Sequence, residues 1–297
     1  MSPPQIRRAA DLVTPHEQVC AGFLEQAEMK ATKATPYVAQ AKALHDEIAT
    51  VNDIVELAHK PEIRLELLAA AGFSEKAMSH LSTAELETAL ESVLNKIKDE
   101  SGDDWRQEIV YRYLLTKGDT LGGSMRNYTG ALGAKKLCSA LIRALCDKNM
   151  AYETFSSPSN AEKIQMMKWR GRILVFDKTP QFLGNNIDVI LLKALTSKED
   201  PRQIVHDPAA FIACGEVKGG IDPAGADEHW KTANTGLGRI RSSFKDNRPK
   251  LFFAAAAIEA AMAEEIISQL KNGDLDFAAN LTKAEQLAAL AAWLVSL

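Results

Sequence analysis

Asp188, Glu216 and Lys218 are the residues whose types and spacing could do chemistry. Asp188 lies near the start of an apolar run, Ile187-Asp188-Val189-Ile190-Leu191-Leu192. Glu216 and Lys218 close another, which begins at Phe211 and ends Cys214-Gly215-Glu216-Val217-Lys218, 28 residues downstream of Asp188. Short apolar runs of this kind read as buried strands. Side chains alternate along a strand, so Glu216 and Lys218 share one face while Val217 turns into the core. Two carboxylates at a sheet edge make a hard oxygen site for Mg²⁺, which keeps several waters and also takes a phosphate oxygen. The backbone carbonyl of Val217 is a candidate further ligand. A lysine one pleat away can hold a water or hydroxide and offset charge building on a phosphorane. The plainer reading of Glu-x-Lys is a salt-bridged strand face.

The residues after Lys218 narrow the choice. Asp222-Pro223-Ala224-Gly225-Ala226-Asp227-Glu228-His229-Trp230 has the signature of a helix entry, with Asp222 as cap, Pro223 at the first helical position and acids in the first turn. His229 then lies about two turns into a helix that starts beside the carboxylates. An imidazole gains and loses its proton near neutral pH, which suits a general base.

Asp, then Glu-x-Lys, on adjacent strands is the pattern of PD-(D/E)xK nucleases. The block GEVKGGIDPAGADEHWKTAN, Gly215 to Asn234, together with NNID at Asn185 to Asp188, resembles the AvaI/BsoBI family of type II restriction endonucleases. The resemblance extends from about Lys117 to Lys250 and is looser over the first hundred residues. It implies an α/β (α+β) restriction-endonuclease-like core, a mixed sheet flanked by helices, with an N-terminal helical subdomain. It further implies a homodimer that hydrolyses double-stranded DNA with Mg²⁺ at a palindromic site such as CYCGRG, cutting after the first C. By position, Asp188, Glu216 and Lys218 become the metal-dependent centre, His229 the activator of water, and Asp222 a reader of bases. Asn185 stands where a base-reading lysine is expected. On the residues alone Asp222 is either a base reader or only a cap, and His229 either an activator of water or only a packing residue.

The rest of the chain must position these groups. Its 297 residues, 46% hydrophobic and 25% charged, are those of an ordinary globular protein, and a net charge of −4 argues against a strongly basic nucleic-acid coat. Four cysteines lack zinc spacing and suit reduced thiols in the cytoplasm. No stretch reaches about 18 uncharged apolar residues, so neither secretion nor membrane insertion is expected.

Residues 5 to about 100 read as helices broken at Pro36, Pro61 and Gly72, with a capping box at Ser82 to Glu85 opening a helix over 83–98. This part is either a clamp for DNA or a second subunit, or a packing scaffold. The polar run Asp99 to Asp104 sets the expected boundary between a helical subdomain, 1–102, and a catalytic domain, 103–297. A helix over 106–117, whose Glu108 is a candidate extra acid, is followed by a glycine-rich segment, 118–130. That segment is either a simple turn or a loop offering backbone N–H groups, Ser124, Arg126 and Asn127 to a DNA phosphate, with Lys135 nearby. It lacks the Gly-Lys-Ser/Thr of a nucleotide loop, which excludes an ATPase.

Further on, a helix over 131–148, a Ser/Pro-rich loop over 152–160 and a strand over 173–177 lead to the Asp188 strand, placed near a sheet edge. A loop over 196–208 with His206 joins the two acidic strands. Arg239 and Arg241, with Lys245, could contact phosphate or guanine, or form a solvated basic face. A strand over 249–255 and helices over 258–271 and 282–296 complete the chain. Two other classes fit the same residues: a structure-specific repair or recombination nuclease, and a noncatalytic DNA-binding protein with a degenerate nuclease core.

Overall fold

Leu174, Phe176, Val189, Leu191, Ala213 and Val217 are buried in one apolar cluster, and Ile173, Val175, Ile190, Leu192 and Cys214 in another. Neighbours in sequence thus alternate between two faces of a sheet, and each face requires a helical cover. The computed structural model in which this is seen describes residues 6–158, 160–194, 201–244 and 248–297.

The chain begins with α1 (His16–Ala49), α2 (Ile54–Ala58), α3 (Arg64–Ala70), α4 (Glu75–His80), α5 (Thr83–Ser101) and α6 (Trp105–Asp147). Then come β1 (Glu153–Ser157), β2 (Asn160–Trp169), β3 (Arg172–Lys178), β4 (Ile187–Lys193), α7 (Pro201–Ile204) and β5 (Phe211–Lys218). The last elements are α8 (Pro223–Ser243), β6 (Lys250–Ala255), α9 (Ala260–Asn272), β7 (Phe277–Asn280) and α10 (Ala284–Ser296). Among the described residues the strands form one seven-stranded sheet in chain order. Pairing is antiparallel from β1 to β5 and parallel from β5 to β7, where α8 and α9 make the crossovers. This is the expected mixed sheet: α8 and α9 cover one face, α10 and the last part of α6 the other.

By packing, the chain divides into two compact units: residues up to Leu24 with Tyr128–Leu297, and Glu25–Asn127. The first contains the sheet. The second is helical, with a core that includes Leu44, Ile48, Leu57, Leu67, Leu90, Leu94, Trp105 and Tyr113. The polar run at 99–104 lies within it as the end of α5 and a 3-10 turn before α6. The capping box is present: the Glu85 N–H donates to Ser82 Oγ, and the Ser82 N–H donates back to the Glu85 carboxylate at 2.7 Å.

Several expectations are corrected. The glycine-rich segment is not a loop: α6 runs unbroken through Gly118, Gly122, Gly123 and Gly130. A helical glycine costs about 1 kcal/mol against alanine, but buried Leu121, Leu137, Leu141 and Leu145 hold the helix by tertiary packing. Pro36 does not divide α1 but lies inside it, where its ring leaves the Thr32 carbonyl without the usual helical donor. The segment 152–160 contains β1 and the first residue of β2 rather than a loop. Asp188 is not on an edge strand, since β4 lies between β3 and β5; it is near the end of an interior strand. The connection between β4 and β5 contains α7 and a 3-10 turn at Pro208–Ala210, while its residues 195–200 lie outside the described residues. Lys245 also lies outside them.

Candidate active site

The β4–β5 ladder ends at Val189 and Gly215, and the next residues outward are Asp188 and Glu216. Beyond this point the Val217 N–H donates to Asp188 Oδ2 at 2.9 Å. Lys218 Nζ donates to the same Oδ2 at 2.8 Å and to Glu216 Oε2 at 2.7 Å. The sheet therefore brings together the three side chains singled out by their spacing, and one ammonium joins both acids.

Glu216 is buried, whereas the side chains of Asp188 and Lys218 are 23% and 22% exposed. Burial pushes the Glu216 carboxyl up to about 7; Asp188 beside it adds repulsion and Lys218 opposes it. For Lys218, burial works against the ammonium, but the two carboxylates outweigh it and hold the group above its ordinary value. Gly236 of α8 faces the acid: a Cβ there would stand 3.6 Å from Glu216 Oε1.

α8 starts as its sequence directs. Asp222 is the cap, its side chain accepting from the Ala224 N–H at 3.0 Å, and Pro223 opens the helix. His229 is exposed, with its ring beside the turn that follows Lys218: Nε2 would lie 3.9 Å from a Cβ at Gly220. The helix is fastened to α9, where Trp230 Nε1–H donates to Glu265 at 2.6 Å and Gln269 Nε2 donates to Asn234 at 2.8 Å. Sequence reasoning missed Glu265 and Gln269, because each lies 35 residues from its partner and no local pattern joins them.

The other candidates are more scattered. Ser124, Arg126 and Asn127 are helical positions of α6 in the helical unit, so the proposed cradle of loop N–H groups is absent; Arg126 and Asn127 expose their side chains. Lys135 is exposed and pairs with Glu162 at 3.3 Å. Arg239 is exposed on α8, while Arg241 pairs with Asp274 at 3.0 Å. Asn185 Nδ2 donates to the Asn186 carbonyl at 3.3 Å. Glu108 pairs with Arg112 on its own helix at 2.7 Å. His206 Nδ1 accepts from the Gln181 N–H, 25 residues earlier, at 3.2 Å. Among the described residues no group of three or more His, Cys, Asp or Glu is placed to hold a metal ion. No helix among them is long and apolar enough to cross a membrane.

A family model described as restriction endonuclease BsobI matches residues 4–297. The type II restriction enzymes AvaI of Nostoc sp. and of Anabaena variabilis are each 41% identical to this chain over 305 aligned residues, covering 97% of it and 96% of their own length. The type II restriction enzyme BsoBI of Geobacillus stearothermophilus is 36% identical over 313 residues, covering 98% of this chain and 97% of its own. With the family model matched over residues 4–297 and relatives at 41% and 36% identity along nearly their whole length, the chain belongs to the BsoBI family of type II restriction endonucleases.

Proposed function

We propose that Asp188, Glu216 and Lys218 are the catalytic centre with which this type II site-specific deoxyribonuclease hydrolyses one phosphodiester in each strand of duplex DNA, using Mg²⁺. The observation that carries the assignment is the Lys218 ammonium held at 2.8 and 2.7 Å from the two carboxylates. Two acids already gathered around one positive group are the hard oxygen donors that Mg²⁺ takes. Remaining ligands would be the Val217 carbonyl, water and a DNA phosphate oxygen. A strand residue sends its N–H and C=O to the same side, and the Val217 N–H points to Asp188, which favours that carbonyl. When bound, Mg²⁺ supplies a Lewis acid for the phosphate and lowers the pKa of water.

The protein's own groups do the rest. Lys218 orients the attacking water and offsets negative charge on the phosphorane. His229 takes the water's proton. As the new P–O bond forms, the bond to the 3′ oxygen breaks and that oxygen is protonated, leaving 5′-phosphate and 3′-hydroxyl ends. Asp222, an acceptor only, faces a base amino group directly or through water. Ser124, Arg126, Asn127, Lys135, Arg239 and Arg241 are assigned to DNA contact through their side chains. A homodimer with two-fold symmetry matches a palindrome such as CYCGRG. The proposed location is the cytoplasm, and the proposed functional division remains 1–102 and 103–297.

The test is incubation with intact plasmid and Mg²⁺, followed by sequencing of the ends. Discrete fragments with 5′ overhangs, abolished by EDTA and by Asp188→Ala or Lys218→Ala, are expected. Undiminished cleavage by either variant would overturn the catalytic assignment.

A further inference from the structure

The turn from Lys218 to Asp222 is touched by two helices at positions that have no side chain. On α6, a Cβ added to Gly133 would stand 3.0 Å from Val217 Cγ1 and 3.1 Å from the N and Cα of Gly219. One added to Gly219 would overlap the Thr129 carbonyl oxygen and stand 2.6 Å from the Gly133 N. On α1, a Cβ at Gly22 would stand 2.6 Å from Ile221 Cγ1. None of the three glycines has a left-handed backbone, so close approach is what requires them. Gly130, one turn earlier on α6, has nothing within 4 Å of such a Cβ.

We propose that Gly22 and Gly133 are positioning residues for DNA cleavage, letting α1 and α6 close on the Gly219–Ile221 turn and so fixing Lys218 against its two carboxylates. The inference rests on Lys218 being catalytic. Gly219 follows Lys218 directly, and Ile221, which is buried, precedes Asp222, the cap of α8. At Gly133 the obstacle includes backbone, which cannot rotate aside. At Gly22 it is the β-branched Ile221, stiff at its first torsion. A methyl at either position displaces the turn, and with it the ammonium that contacts Asp188 and Glu216 at 2.8 and 2.7 Å.

The test compares Gly22→Ala, Gly133→Ala, Gly130→Ala and the double variant Gly22→Ala/Ile221→Ala. The readouts are the single-turnover cleavage rate with saturating duplex and Mg²⁺, the Kd for that duplex in EDTA, and thermal melting. Gly22→Ala and Gly133→Ala are expected to slow cleavage about 10- to 100-fold, the scale of a misplaced catalytic group, with Kd unchanged. Gly130→Ala makes the same helical substitution without the contact and should cleave at the parental rate. Ile221→Ala removes the obstructing atoms and should restore most of the rate lost in Gly22→Ala, a coupling that general destabilisation does not produce. If Gly133→Ala fails to fold, the Gly22 and Ile221 pair decides alone. Parental rates in Gly22→Ala, no rescue by Ile221→Ala, or a weakened Kd with an unchanged saturated rate would each overturn the inference. If Lys218→Ala still cleaves, the catalytic assignment itself fails; if it is inactive while both glycine variants are unaffected, only the positioning role is lost.

Discussion

The Val217 N–H donates to the Asp188 carboxylate at 2.9 Å, so a side chain receives the hydrogen bond where β4 and β5 have stopped pairing. Asp188 therefore has a structural task that needs an acceptor and a chemical task that needs a charge, and two substitutions separate them. Asp188→Asn keeps an oxygen for Val217 but removes the charge. Asp188→Ala removes both. Each is expected to lower the cleavage rate by a factor on the order of 10² to 10³, the usual cost of losing electrostatic stabilisation. Only the alanine variant should also be destabilised, by about 1–3 kcal/mol for the orphaned N–H. Thermal denaturation beside plasmid cleavage checks this; equal destabilisation in both variants would argue against the dual role.

Lys218 and a divalent cation would share the same two carboxylates. Lys218→Met removes the cation that competes with Mg²⁺ for those acids, so at a pH where both are ionised Mg²⁺ should bind at least as tightly as in the parent. Cleavage should nevertheless fall by about 10² to 10³, since the group opposing charge on the phosphorane is gone. Calorimetric titration of Mg²⁺ with the variant separates these effects. Loss of Mg²⁺ binding together with cleavage would show Lys218 to be needed for assembling the site.

The core of the sheet was legible because β3, β4, β5 and β6 are buried apolar runs, and those of β4 and β5 carry Asp188 near the start of one and Glu216 and Lys218 at the end of the other. The caps at Ser82 and Asp222 were legible because capping is local. By contrast, β1 is exposed up to Ser156 and β2 over its first four residues, Asn160 to Lys163, so neither stretch shows an alternation between core and solvent. The glycines of α6 pointed to a loop because a helix interior disfavours them, while the packing of Leu137, Leu141 and Leu145 against residues distant in sequence leaves no local signal. The contacts of Trp230 with Glu265 and of Gly22 with Ile221 were illegible for the same reason. Pattern marks which residues of an element are buried, but not which distant residue they meet.

Glu265 illustrates what such a distant contact should be worth. Trp230 is fully buried on α8 and its indole N–H has the Glu265 carboxylate as acceptor at 2.6 Å. Glu265→Gln retains a carbonyl oxygen for that N–H and should melt close to the parent. Glu265→Ala leaves the donor unsatisfied and should cost about 1–3 kcal/mol. If α8 depends on this tie to hold His229 beside the turn, Glu265→Ala will also slow cleavage at saturating DNA, while Glu265→Gln will not. Equal melting of the two variants would show that the contact contributes little.

Asp276 gives a pH dependence that is independent of catalysis. Burial alone would raise its pKa, but Lys250 Nζ at 2.8 Å, the Leu251 N–H at 2.9 Å and Arg248 Nη1 at 2.8 Å outweigh burial and hold the carboxyl below its ordinary 3.8. A carboxyl whose pKa is depressed on folding stabilises the fold above the unfolded value, and that stability is lost as pH falls through the lower folded value. Asp276→Asn should therefore be less stable than the parent at pH 7, by about 1.5–3 kcal/mol for hydrogen bonds to a charged group. Because the parent loses its advantage as the carboxylate protonates, the difference should narrow steadily below about pH 4. Urea denaturation of both proteins at pH 7 and at about pH 3 checks the sign. A gap of the same size at both values would mean that Asp276 acts through packing and neutral hydrogen bonds, with no contribution from its charge.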